Sequence, residues 1–243
     1  MNQEFLHGAG AAARYDEMSP LDRAIDTYNR KAKKYFSALN RAENAPKDVR
    51  EARKKELASI RKHLENERRL METIVDVRAK LEMYREGGRN AVRKVGESRI
   101  DGADRRTGLL AEEHHPTKIL EEFMRAVPMP KPSPQHTAHH IVPGKGRTVH
   151  SARARSRIHL FGIRINDPDN GVWLPSASKY TPNWSMPEAL GHKQYHTEGY
   201  EKWVSMRLRN QSSETFVRQE LRMIALLLEQ NKLPPEARIK SCK

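Results

Sequence analysis

His136-Thr137-Ala138-His139-His140-Ile141-Val142-Pro143 sets two imidazoles side by side in a segment whose alternation over residues 138–142 suits a short strand. Successive strand residues point to opposite faces, so His139 and His140 are expected to do different jobs. Gly171-Val172-Trp173-Leu174 reads as a second strand. Seven of the eleven histidines, at positions 136, 139, 140, 150, 159, 192 and 196, fall in this part of the chain.

Between the two strands lies a basic segment, read as loop-like, that holds Lys145, Arg147, Arg153, Arg155, Arg157 and Arg164, with no acid from His136 until Asp167. Such a segment beside a histidine cluster is well placed to hold phosphates, and these six residues are its nucleic-acid-binding candidates. Downstream, residues 195–209 read as a helix. Residues 213–230 read as another, with Phe216, Leu221, Ile224 and Leu228 on one side. His192 and His196 stand four apart at the start of the first of these, a spacing that brings two imidazoles together on one helix face. His136, His150 and His159 are read as phosphate-contacting or structural, and Tyr200 and Trp203 as core aromatics.

Four blocks in order carry a family resemblance. They are Ala138-His139-His140-Ile141-Val142-Pro143, residues 161–167 (Phe-Gly-Ile-Arg-Ile-Asn-Asp), Asn170-Gly171-Val172-Trp173-Leu174-Pro175, and His192-x-x-x-His196-x-x-x-Tyr200. Together they resemble the AHH nucleases of the HNH, or ββα-metal, superfamily, many of which are toxin domains of bacterial competition systems. The resemblance covers roughly residues 136–210. It implies His140 as general base, by analogy with the DNase colicins of the same superfamily, and His139, His192 and His196 as metal ligands. Asn170 would be the central Asn that ties the connecting loop to the strand and orients His140, with Asn166 as runner-up. It also implies an antibacterial effector, with type VI secretion as one export route, and a cognate immunity protein acidic enough to complement the basic half.

The residue types suit that chemistry by themselves. Phosphodiester hydrolysis needs an activated water, and a neutral imidazole, with an ordinary pKa of about 6.5, can accept a proton near neutral pH. A metal held by three protein ligands keeps a position open for a phosphate oxygen. Imidazole ligands favour one Zn²⁺ or Ni²⁺ per site, while Mg²⁺ or Mn²⁺ stays open because other superfamily members use carboxylate ligands.

The first half reads differently. Residues 1–18 look like a lead-in. Ser19-Pro20-Leu21-Asp22 then starts a helix whose apolar positions recur every three or four residues. Asn44-Ala45-Pro46 interrupts it, and a second helix is expected from about residue 47 to 85, stopped by Gly87-Gly88. This makes a helical hairpin. A helical piece over residues 117–126 follows, and the His114-His115 pair reads as a loop and helix-start feature. Prolines 128, 130, 132 and 134 mark a stiff linker.

The expected class is therefore mainly α with a small α+β domain. A helical region over residues 1–127 would be a docking or delivery module that meets the secretion machinery. A Pro-rich linker would span 128–135, and a ββα-metal nuclease domain with a C-terminal helix 136–243. The net charge is +14, of which +9 falls in residues 131–243, and this points to an anionic partner, DNA ahead of RNA. With one cysteine, Cys242, there is no disulfide framework. Neither a cleaved signal nor a membrane span is expected, which suits the cytoplasm of the producer or export by a signal-independent machine. The functional expectation is a metal-dependent endonuclease of little sequence specificity. The alternatives are a phage or restriction-type nuclease working in its own cytosol, and a non-catalytic nucleic-acid-binding module with a structural zinc.

Overall fold

The computed structural model describes residues 18–93, 107–113, 117–127 and 129–240. Residues 1–17 of the lead-in over 1–18, the His114-His115 pair, Pro128 and Cys242 lie outside the described residues. The chain divides into two compact units, residues 1–74 and 75–243.

In the first unit, α1 (Pro20–Glu43) begins where Ser19 accepts a hydrogen bond from the Asp22 amide (3.2 Å), with Pro20 in the first turn. After Asn44-Ala45-Pro46 the chain enters α2 (Lys47–Val92), whose first part turns back along α1. Lys31 pairs with Glu67 at 2.6 Å, and Ala42, Leu57 and Leu64 are buried. This is the expected hairpin.

The second unit opens with the end of α2. The helix does not stop at Gly87-Gly88 but continues to Val92. Each glycine costs a helix about 1 kcal/mol against alanine, and close packing accounts for their presence. A Cβ on Gly88 would lie 2.1 Å from the Gly162 carbonyl oxygen. Gly162 itself sits in a left-handed turn (φ 71°), where its own Cβ would meet the Arg89 backbone at 3.0 Å. Two bare backbones touch there, which a sequence-local reading of Gly-Gly as a stop signal does not see.

Two strands form an antiparallel pair, β1 (His136–His140) and β2 (Gly171–Pro175), in the register His136 opposite Pro175 through His140 opposite Gly171. The sheet lies near α3 (Lys118–Ala126). A Cβ on Gly171 would come within 2.6 Å of the Met124 sulfur and 2.9 Å of Leu120, so only glycine lets β2 approach that helix. The linker segment is pinned: Trp173 Nε1 donates to the Met129 carbonyl at 3.0 Å, and Lys131 pairs with Glu121.

The basic segment between the strands is not a loop. It contains α4 (Val149–Leu160), capped by Thr148, whose hydroxyl accepts from the His150 amide. Arginine, alanine and leucine are good helix formers, and Ser151, Ala154 and Ile158 form its buried stripe. The arginines that made it look like solvated loop occupy the rest of the helix.

The next helix, α5 (Glu198–Arg209), begins three residues later than residue 195, because Thr197 caps it by accepting from the Tyr200 amide at 3.0 Å. Behind it, α6 (Glu214–Glu229) buries Val217, Leu221, Ile224 and Leu228, each worth about 1.5–3 kcal/mol of burial. Tyr200, Val204 and Leu208 of α5 belong to the same core. The fold is mainly α with one small two-stranded sheet, and among the described residues no helix is long and apolar enough to cross a membrane.

Candidate active site

His139 and His140 meet different partners from adjacent positions on β1. The His139 ring centroid lies 5.2 Å from that of His196 and 6.5 Å from that of His192, and His192 and His196 are 5.8 Å apart. Tyr200 and Tyr195 wall the cluster at 6.0 and 6.3 Å from His139. Their hydroxyls are used elsewhere: Tyr200 donates to the Ile141 carbonyl and Tyr195 to that of Leu228, both at 2.9 Å.

His139 Nε2 and His192 Nδ1 are buried and have no hydrogen-bond partner. Leaving a buried polar atom unmatched costs about 1–3 kcal/mol, so two in one cluster mark a place built to receive something else. Burial, with the neighbouring His196, His192 and His140, holds the His139 pKa well below the ordinary imidazole value. His192 is lowered too, mainly by burial, with hydrogen bonding to the Ser176 and Pro175 backbone pulling the other way. Neutral imidazoles with lone pairs turned inward are the form in which histidine binds a cation.

The spacing can be compared with a metal centre. Tetrahedral ligation with metal–nitrogen distances of about 2.0–2.1 Å sets imidazole centroids roughly 5 Å apart. The His139–His196 pair stands at that spacing, and the two sides that include His192 are wider. Among the described residues no three such donors already stand at ligand distance, so ligation requires His192 to draw inward. The expected shared helix face is replaced by a 3₁₀ turn, His192–Tyr195, with His196 at its end.

On the other side, His140 Nε2 lies 3.0 Å from Asn166 Oδ1. The Asn166 amide nitrogen donates to the Glu113 carbonyl (2.9 Å) and to Glu112 Oε1 (3.1 Å), which assigns its oxygen to His140. His140 Nε2 is therefore the protonated nitrogen of the neutral ring, and Nδ1 carries its lone pair. Asn170 works differently. Its oxygen accepts from the Val142 amide at 2.8 Å and its nitrogen donates to the Ile165 and Val142 carbonyls. The loop is tied to the strand by Asn170, while the asparagine that reaches His140 is Asn166.

All four histidines line one cavity of about 310 Å³ with Lys145 and Thr117. A larger cleft of about 580 Å³ runs past Trp203, Met206 and Ile239 but holds no imidazole cluster, so size does not mark the site. Lys145, Arg147 and Arg153 are exposed. The other three basic candidates have partners inside the protein: Arg155 on the Gly144 carbonyl, Arg157 on that of Gln211, and Arg164 on Glu112 and over the Tyr84 ring. His136 sits between the Ser133 and Ser185 hydroxyls. His159 is buried away from the cluster.

Residues 120–225 match the sequence model of the AHH family, a nuclease family of the HNH/ENDO VII superfamily with conserved AHH. These residues are an AHH-type nuclease segment. The matched AHH segment spans both strands and all four histidines. No curated protein and no solved structure matches the chain. Nucleases of this superfamily are generally metal-dependent, and their substrate is nucleic acid. Tyr84 and Glu112 lie outside the matched segment, and sequence reading missed both. No local pattern links a tyrosine and a glutamate to an asparagine 82 and 54 positions further on.

Proposed function

We propose that this AHH nuclease is a metal-dependent endonuclease that cuts DNA with little sequence preference, using His139, His192 and His196 as ligands and His140 as general base. The observation that carries the reading is the division of labour on β1. His139 stands beside His192 and His196, with unmatched nitrogens on His139 and His192, and its neighbour His140 is held by the Asn166 amide.

When bound, a divalent ion would supply Lewis-acid stabilisation of charge on a phosphate oxygen. Zn²⁺ or Ni²⁺ suits three neutral imidazoles best. Within the chain, His140 Nδ1 takes a proton from water as the water oxygen attacks phosphorus, the P–O bond to the leaving ester oxygen breaks, and that oxygen takes a proton from solvent water. Asn166 keeps Nε2 protonated, so the lone pair stays on Nδ1, and Asn170 holds the loop that carries Asn166. Lys145, exposed at the cavity, meets the phosphate backbone, with Arg147 and Arg153 extending the basic surface.

The same reading extends to context. The basic half and the family resemblance support an antibacterial effector held in check by an acidic immunity protein. Residues 1–127 would serve in docking or delivery, residues 128–135 would link, and residues 136–243 would cut after passage from the producer's cytoplasm into a target cell.

Plasmid nicking by the full chain with Zn²⁺, Ni²⁺, Mn²⁺ and Mg²⁺ in turn, alongside an RNA substrate, tests this. Cleavage is expected with at least one transition metal, and His140→Ala should lower it about 10²- to 10⁴-fold while metal and DNA binding persist. Intact plasmid under all four metals would contradict it. Retained metal and DNA binding without any cleavage would favour the structural-zinc module instead.

A further inference from the structure

The amide that holds His140 is itself held, from outside the segment that matches the AHH family. Asn166 Nδ2 donates to Glu112 Oε1, and the Asn166 backbone amide donates to the Tyr84 hydroxyl at 2.9 Å. Tyr84 in turn donates to Glu112 Oε1, and Arg164 Nε donates to Glu112 Oε2 at 2.8 Å. The Arg164 guanidinium also lies 4.0 Å above the Tyr84 ring. Both atoms of the carboxylate are therefore in use, one turned towards Asn166 and one towards a cation.

An asparagine amide can present either its oxygen or its nitrogen to a neighbour, and the two ends have nearly the same shape. The Glu112 carboxylate and the Glu113 carbonyl only accept, so between them they take the nitrogen and leave the oxygen for His140. With the amide reversed, its nitrogen would face the carboxylate no longer but His140, and the neutral ring would have to offer Nε2 as acceptor and place its proton on Nδ1. That tautomer has no lone pair on the nitrogen that the proposed reaction uses. The carboxylate, together with the Glu113 carbonyl that the same nitrogen reaches at 2.9 Å, thus selects the state of the base through the amide, without touching the base.

We infer that Glu112, seated by Tyr84 and Arg164, is a positioning residue that sets the tautomer of His140 through Asn166. The relay rests on the proposed function for its consequence, since it matters to catalysis only if His140 is the base. The relay itself is a matter of proton location, readable without any turnover. It also gives the second half of α2 and the segment before α3 a part in the site.

The test uses the full chain without metal at a pH where the imidazoles are neutral. Long-range proton–nitrogen spectra of the histidine rings, with His140→Gln for assignment, report which nitrogen carries hydrogen. Wild-type protein is expected to show His140 protonated at Nε2. In Glu112→Ala the signal should move towards a mixture of tautomers, and kcat for plasmid nicking should fall about 10- to 100-fold with KM within about twofold. Glu112→Gln keeps an oxygen for the Asn166 amide and should restore both the tautomer and most of kcat. Tyr84→Phe removes only the hydroxyl and should give a smaller shift in the same direction, and it replaces Glu112→Ala if circular dichroism shows that variant unfolded. A wild-type His140 tautomer in both Glu112→Ala and Tyr84→Phe overturns the inference, even if cleavage persists. Loss of cleavage in every form beside an intact tautomer effect would instead remove the base role of His140 and leave the relay standing.

Discussion

The second unit buries two polar clusters that are met in opposite ways. Asp167 and Asp169 stand among Arg85, Arg218 and Arg222. Arg85 Nε and Arg218 Nη1 each reach Asp167 at 3.0 Å, and Arg218 Nη1 and Arg222 Nε reach Asp169 at 2.7 and 2.9 Å. Burial alone would raise the Asp169 pKa, but the hydrogen bonds from Arg222 and Arg218 hold it below the ordinary carboxylate value. In the histidine cluster, by contrast, two buried nitrogens have no partner at all. A closed cluster of this kind fixes backbone, here the turn between Asn166 and Asn170. An open one has unspent donors, and the difference between structural and functional polarity lies in that remainder.

The largest expected effect tests the open cluster. His192→Ala should lower metal-supported cleavage about 10³-fold or more, since the several kcal/mol of Lewis-acid stabilisation would be lost. Chemical denaturation of the metal-free protein should show a loss of no more than about 1–2 kcal/mol, from the hydrogen bonding of the ring to the Ser176 and Pro175 backbone, because the unmatched Nδ1 adds none. A large loss of metal-free stability would make the cluster structural and erase the contrast. For the closed cluster the order reverses. Asp169→Ala removes the carboxylate that Arg218 and Arg222 share, leaving Arg218 on Asp167 and Glu214, and should cost about 1.5–3 kcal/mol on unfolding, read from the same denaturation curves.

His159 sharpens the comparison, being a lone open group. Both its nitrogens are buried without partners, and burial, with Arg155 and Arg164 nearby, pushes its pKa down from 6.5 to about 4. The folded state therefore resists a proton that the unfolded state accepts below about pH 6.5. Its contribution is fully present above that pH and is lost as pH falls towards 4, by about 3 kcal/mol in all. In His159→Leu the fall in stability over that window should be smaller by this amount, as followed by thermal unfolding at stepped pH. An unchanged acid limb would show that His159 is solvated. Smallest is Lys145→Ala, which should weaken DNA binding evenly across sequences and reduce the slope of log K against log salt by about one.

What the sequence shows of this site depends on how local the signal is. The doublet at 139 and 140, the strand pairing with residues 171–174 and the recurrence at 192 and 196 are visible because strand alternation and short spacings are sequence properties. The helix over residues 149–160 is hidden by its arginines, which obscure a three-residue buried stripe. Helix α2 runs past Gly87-Gly88 because a turn 74 residues further on fits against Gly88. The separate tasks of Asn166 and Asn170 could not be told apart either. Both match the family pattern, and only the hydrogen bonds to His140 on one side and to Val142 and Ile165 on the other divide them. Tyr84 and Glu112 gave no signal at all, since their meaning comes from a partner brought near by folding.

The contrast between open and closed clusters rests most directly on one measurement, the calorimetric titration of the full chain with Zn²⁺. One ion per wild-type chain is predicted, with binding abolished or greatly weakened in His139→Ala and His192→Ala and an unchanged stoichiometry in Asp169→Ala under conditions where it stays folded. No zinc heat in wild type, or equal binding in both histidine variants, would contradict the assignment of the open cluster as the metal site.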